Sequence, residues 1–224
     1  MPSLGIGKSM YDLSYMYDFR SQIITHTGRD AQVSAALEHL KWFEPYTAEH
    51  SQRVGLIAGA IAIELGFSED KVMLTEASGR LHDIGKSGVS LDYLCKPSAL
   101  SDEEYREVQR HPELGANLIQ DCPALLELMP GVLYHHERYD GLGYPFGLQG
   151  DSIPLIARVI AVADTYDAMT SHRVYRPALS HQRAVQELLA HINTQFDQRV
   201  VEAALNAGLE HIEPQVKLDA VRSI

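Results

Sequence analysis

Cysteine is almost absent: Cys95 and Cys122 are the only two in 224 residues. They form no C-x-x-C pair, so neither a disulfide framework nor a thiolate zinc site is indicated, and both read as plain thiols. Basic runs are missing as well. The net charge is -11 and no block of lysine or arginine occurs, which excludes the phosphate-neutralising surface that polymeric nucleic acid requires. A small anionic ligand stays compatible with this acidity, because bound divalent cations invert the local field. No apolar run reaches the roughly 18 residues of a membrane span, and "MPSLGIGKSMYDLSYMYDF" at the N-terminus lacks a charged-then-apolar signal pattern. The expectation is a cytoplasmic protein with no membrane segment. Two nucleotide motifs lack their glycines: in "GIGKS" the first glycine of a phosphate loop falls on Pro2, and in "GLGYPFG" the third glycine of a dinucleotide fingerprint falls on Phe146.

What is present is helical periodicity in a chain that is 45% apolar. From Thr47, read as an N-cap, Val54, Ile57, Ala58, Ile61 and Leu65 recur at three- and four-residue spacing until Gly66. Ser68 opens a second helix with Glu69 and Asp70 in its first turn. Ser101 and Glu104 fit a capping box, and His111-Pro112 breaks or redirects the helix that follows it. Further helices fit 123–136, 154–170, 180–192 and 197–207, with a polar loop at 137–153 and no strand series. The reading is an all-α helical bundle over residues 41–210, with an N-terminal helical extension at 1–40 and a C-terminal tail at 211–224.

The chemistry is written in a scattered set: His50, His82-Asp83 with Lys86, His111, His135-His136, and Asp164 in "VIAVADTYDAMTS". Taken singly, each has a plain structural reading as a hydrogen-bonded histidine, a helix cap or an ion-paired acid. Together they supply ligands for two metals from separate helices that one bundle can assemble. Adjacent side chains on a helix diverge, so a His-Asp or His-His doublet serves two neighbouring ions better than one. Two divalent ions roughly 3.5–4 Å apart polarise a phosphoryl group from both sides. Imidazoles with carboxylates and no thiolate point to iron or manganese before zinc or nickel.

"HDIGK" resembles the HD phosphohydrolase signature. With "HPELGANLI" and "HHERYDGLGYPFGLQGDSIPLIARVIAVADTYDAMTSHRVYR", the chain over about residues 41–205 resembles the HD-GYP domain of bacterial cyclic di-GMP phosphodiesterases, its GYP being Gly143, Tyr144 and Pro145. The resemblance implies an HD-domain helical bundle with a C-terminal GYP loop, a cluster of iron or manganese, and hydrolysis of a 3′–5′ phosphodiester in a cyclic dinucleotide. Carried over by position, it makes His50, His82, Asp83, His111, His135, His136 and Asp164 the metal ligands, with Asp83 bridging. Asp83 and Lys86 are then the catalytic pair, Lys86 acting as cation and proton source. Arg173 and Arg176 match positions that grip the ligand's phosphates, for which arginine's planar fork is suited. Tyr144 and Pro145 form a lip at the substrate, and in the family this segment is also linked to partner proteins. Glu137 and Asp140 are expected to hold the loop by hydrogen bonds, and Gly141 and Gly143 to let it turn.

One departure bears on metal number. Some family members carry a glutamate one helical turn before the first histidine and bind a third metal with it, whereas this chain has Tyr46 there, and Glu49 adjoins His50 on a different face. Two metals are therefore expected. The resulting expectation is a metal-dependent phosphodiesterase converting cyclic di-GMP to pGpG, with a further cut to GMP left open. The alternatives are another cyclic dinucleotide, such as cyclic GMP-AMP, or a nucleotide-sensing adaptor. A homodimer stays open.

Overall fold

The computed structural model describes residues 23, 25–43, 45–171 and 177–212, with the backbone alone at 42, 43, 45 and 46. Arg173, Arg176, the tyrosine-rich 11–19 cluster and the side chain of Tyr46 lie outside the described residues. Among the described residues, ten α-helices follow one another: α1 (Arg29–Phe43), α2 (Pro45–Glu64), α3 (Glu69–Leu81), α4 (Leu91–Leu94), α5 (Asp102–Val108), α6 (His111–Ile119), α7 (Met129–Tyr134), α8 (Leu155–Thr170), α9 (His181–Ala190) and α10 (Gln198–Asn206). Short 3-10 turns at Ile84–Gly88, Pro123–Leu128, Gly150–Ser152 and Leu209–His211 link them, and there is no strand among the described residues.

Local chemistry accounts for most helix ends. The capping box at α5 forms as expected, Ser101 accepting from the Glu104 N–H while the Glu104 carboxylate accepts from the Ser101 N–H. Ser180 and Asp197 cap α9 and α10. Two expectations need correction. Thr47 is not an N-cap: α2 begins at Pro45, whose fixed φ suits a first turn, and Thr47 is buried inside the helix. The helix expected over 123–136 is split, because Pro130 has no N–H to continue a ladder; it falls in the first turn of α7, behind a separate 3-10 turn.

Two apolar clusters hold the bundle. In one, Val54, Ile57 and Ile61 of α2 pack on Val159, Ile160 and Val162 of α8 and on α9 and α10 through Leu188, Val200 and Val201. In the other, Val33, Leu37 and Leu40 of α1 pack with Leu81 of α3, Ile84, Ile119 of α6 and Val132 of α7. Arg158 of α8 clamps the base of the polar loop to α10, reaching Asp151 at 2.6 Å and Asp197 at 2.7 Å. Among the described residues no helix is long and apolar enough to cross a membrane.

Candidate metal centre

The seven histidines and acids singled out in the sequence converge where the two apolar clusters meet. His50 comes from α2 and Asp164 from α8, both in the first cluster's helices, while His82 and Asp83 sit between fully buried Leu81 and Ile84 of the second. His111 is the first residue of α6, and His135 and His136 follow directly after α7. Gly85 makes the closest approach possible: a Cβ there would stand 1.9 Å from the His111 carbonyl oxygen and 2.4 Å from the Gly115 nitrogen. The glycine of "HDIGK" thus lets the Asp83 turn lie flat against the start of α6.

The ring nitrogens are oriented by what their backs touch. His82, His111 and His135 each place Nδ1 against a carbonyl three residues earlier, Gly79 at 2.7 Å, Val108 at 2.8 Å and Val132 at 2.9 Å. A carbonyl only accepts, so each Nδ1 carries a proton and each ring turns its Nε2 inward. His50 places Nδ1 2.7 Å from Asp167 Oδ2. This is how metal-binding histidines are generally held.

Asp83 stands between two halves of the cluster. Its Oδ1 lies 3.3 Å from His111 Nε2 and 3.9 Å from His135 Nε2; its Oδ2 lies 3.3 Å from His82 Nε2 and 3.9 Å from His50 Nε2. Ligand atoms of Asp83, His111, His135 and His136 all fall within 4.8 Å of one another, and so do those of His50, His82 and Asp83. Asp164 Oδ1 joins the second group at 3.0 Å from His50 Nε2 and 3.8 Å from His82 Nε2. Lys86 pairs with Asp83 Oδ2.

The residues present fit divalent cations. His82 Nε2 and Asp83 Oδ1 are buried without a hydrogen-bond partner, which is costly for polar atoms. His111 Nε2 faces His135 Nε2 at 3.2 Å, so two inward ring nitrogens meet at one point that a cation can share. Burial, reinforced by neighbouring His136, His82 and His111, holds the His135 imidazole well below the usual range. Burial and His111 push His136 down to about 3, so both rings keep their lone pairs at neutral pH. Burial opposes charge on His50 too, but the Asp164 and Asp167 carboxylates outweigh it and push that imidazole up to about 9. Burial would raise Asp83, yet His82 and Lys86 hold its carboxyl well below the usual range.

The loop after His136 closes one side. Glu137, buried, accepts from the Phe146 N–H at 2.8 Å and the Leu148 N–H at 2.9 Å, and Asp140 accepts from the Leu142 N–H at 3.1 Å. A Cβ at Gly143 would lie 2.5 Å from the His136 carbonyl and 2.4 Å from the Arg138 nitrogen, so only glycine lets the loop fold back this closely. Tyr144 then lands on the site: its ring stacks on His136 with centroids 4.7 Å apart and planes 26° apart. Leu142 and Phe146 flank it on the exposed side. Asp167 and Arg53 were not singled out from the sequence. The three-residue spacing of Asp164 and Asp167, and of His50 and Arg53, was the available signal, since such pairs share a helix face.

The family model described as HD domain matches residues 35–200. A cyclic di-GMP phosphodiesterase of Pseudomonas aeruginosa is 37% identical over 94% of this chain and 51% of its own length. A 3′3′-cGAMP-specific phosphodiesterase of Vibrio cholerae is 39% identical over 68% of this chain and 33% of its own. The chain thus spans about half of the length of one of these curated relatives and a third of the other. A solved HDG"Y"P protein from Bdellovibrio bacteriovorus shares the fold at TM-score 0.60 and 17% identity, over 86% of this chain and 68% of that one. The chain belongs to the HD-domain family.

Proposed function

We propose that this chain is the catalytic part of a metal-dependent phosphodiesterase that hydrolyses cyclic di-GMP to pGpG. The observation that carries the reading is Asp83, buried between two groups of imidazoles with one carboxylate oxygen turned toward each. His50, His82 and Asp164 would hold one cation and His111, His135 and His136 another, with Asp83 shared. Iron and manganese suit this nitrogen-and-carboxylate donor set first, with zinc and nickel also compatible. When bound, the pair would supply an activated water and polarise the phosphate. Lys86, beside Asp83, would donate the proton that the departing 3′ oxygen needs. Arg173 and Arg176 would hold the phosphates, and Tyr144 with Pro145 would border the bound dinucleotide. The same loop, with Leu142 and Phe146 exposed, would also meet a protein partner. Such a second-messenger substrate sets the site of action in the cytoplasm.

A second reading keeps the chemistry and changes the substrate to cyclic GMP-AMP, favoured by the 39% identity to a phosphodiesterase of that specificity. Turnover of both dinucleotides by manganese- or iron-loaded protein, resolved by chromatography, tests the two together. Cleavage of cyclic di-GMP, abolished by chelation, is the expected result. Failure to cleave either one with iron, manganese, nickel or zinc would leave a binding module instead.

A further inference from the structure

Asp167 is the most heavily committed carboxylate beside the centre, and nothing in the chemistry so far uses it. It is 3% exposed and lies one helical turn beyond Asp164 on α8. Its Oδ2 accepts from His50 Nδ1 at 2.7 Å, Arg53 Nη2 at 3.1 Å and the Ser171 hydroxyl at 3.1 Å. Its Oδ1 accepts from Arg53 Nε at 2.6 Å. Arg53 Nη2 also donates to Ser171 at 3.1 Å, which closes a ring of contacts between α2 and the end of α8. The fork of Arg53 occupies both carboxylate oxygens, so Asp167 is held in the plane that meets His50.

This support is unlike that of the other anchored imidazoles. His82, His111 and His135 lean on neutral carbonyls, whereas His50 leans on a full negative charge. A carboxylate behind the ring fixes its orientation and makes the opposite nitrogen a stronger donor. The two halves of the centre therefore differ. The half with His50 and His82 has Asp164 as well as the shared Asp83, and Asp167 behind it. The half with His111, His135 and His136 has the shared Asp83 alone.

Building on the metal reading above, we propose that Asp167, locked by Arg53 and Ser171, is a positioning residue that aims and strengthens His50, so that the half containing His50, His82 and Asp164 takes its divalent cation first and more tightly. The support also links metal retention to the junction of α2 with Ser171, directly before the segment that carries Arg173 and Arg176.

Calorimetric titration of chelator-stripped protein with Mn2+, followed in parallel by electron paramagnetic resonance, tests this. The wild-type protein should show two unequal classes of site. Asp167→Asn keeps the volume but sets an amide N–H against either Arg53 or His50; it should weaken the tighter class about tenfold to hundredfold and leave the weaker within about twofold. Asp167→Glu should restore part of the loss. His111→Ala should do the reverse, removing the weaker class only. Two equal sites in the wild type, or Asp167→Asn weakening both classes alike or neither, overturns the inference while the metal reading stands. No Mn2+ binding by the wild type overturns both. If circular dichroism shows Asp167→Asn unfolded, Arg53→Lys and Ser171→Ala decide: each should weaken the tighter class alone, and unchanged affinity in both refutes the role.

Discussion

At the residue scale, the candidate ligands were legible because their chemistry is rare in combination, and their supports were not because theirs is common. A histidine-aspartate doublet or a histidine pair alone has a plain structural reading; the set of them on separate helices does not. The carbonyls of Gly79, Val108 and Val132 that orient three of the rings carry no side-chain signature at all. Asp167 was hidden for another reason: an acid on a helix is ordinary until the fold puts His50 against it. The division of labour between neighbours is testable here. Asp83 faces both halves, so Asp83→Ala should abolish metal binding, read by elemental analysis. Lys86 is itself a cation paired with Asp83, so its removal takes away a competitor for the carboxylate and should not lower metal content. Lys86→Ala should instead slow single-turnover hydrolysis by about a hundredfold to ten-thousandfold, the range for losing a general acid. Equal metal loss in both variants would put Lys86 among the structural supports.

At the element scale, helices with strong caps and wide apolar stripes were readable, and close contacts between elements were not. The capping box of α5 announces itself in Ser101 and Glu104, and the register of α2 in Val54, Ile57 and Ile61. The start of α2 depends on Pro45 rather than on Thr47, and the split before α7 on Pro130; both follow from proline's missing N–H and fixed φ. Gly85 carries no local signal of its role, which is set by the packing of α6: there is no room for a methyl group between the Asp83 turn and the His111 backbone. Gly85→Ala must push the two apart. The expected cost is about 1–3 kcal/mol of stability from overpacking, with loss of metal from the half that needs His111. Chemical denaturation and metal analysis check this together, and a variant with wild-type stability and two metals would show that the turn can shift without harm.

For the whole molecule, the all-α bundle and the convergence of separated motifs followed from periodicity and resemblance. The seam between two apolar clusters did not, because both clusters use the same aliphatic residue types and only the packing separates them. That seam buries charge, so global stability should track proton and metal together. In metal-free protein His50 is raised from 6.5 to about 9, which contributes stability fully present below pH 6.5 and lost as pH rises through 9, about 3 kcal/mol in all. His135 and His136 are depressed instead: below pH 6.5 the unfolded chain takes up protons that the folded one refuses, so their effect is to lower stability on the acid side. Asp83 and Asp167, held below the usual carboxylate range, lose their contribution in the same acid direction. These groups together place the maximum for metal-free protein near pH 6.5. A divalent cation at His50 must displace its Nε2 proton, so metal binding at pH 7 should release about one proton and tighten as pH rises toward 9. The stabilisation conferred by a fixed excess of Mn2+ should accordingly grow between pH 6.5 and 9. Calorimetric melting at pH 5.5, 7 and 9, with and without metal, decides it. If metal-free stability is level from pH 6.5 to 9 and the metal-induced shift does not grow, His50 is not held as a cation between Asp164 and Asp167.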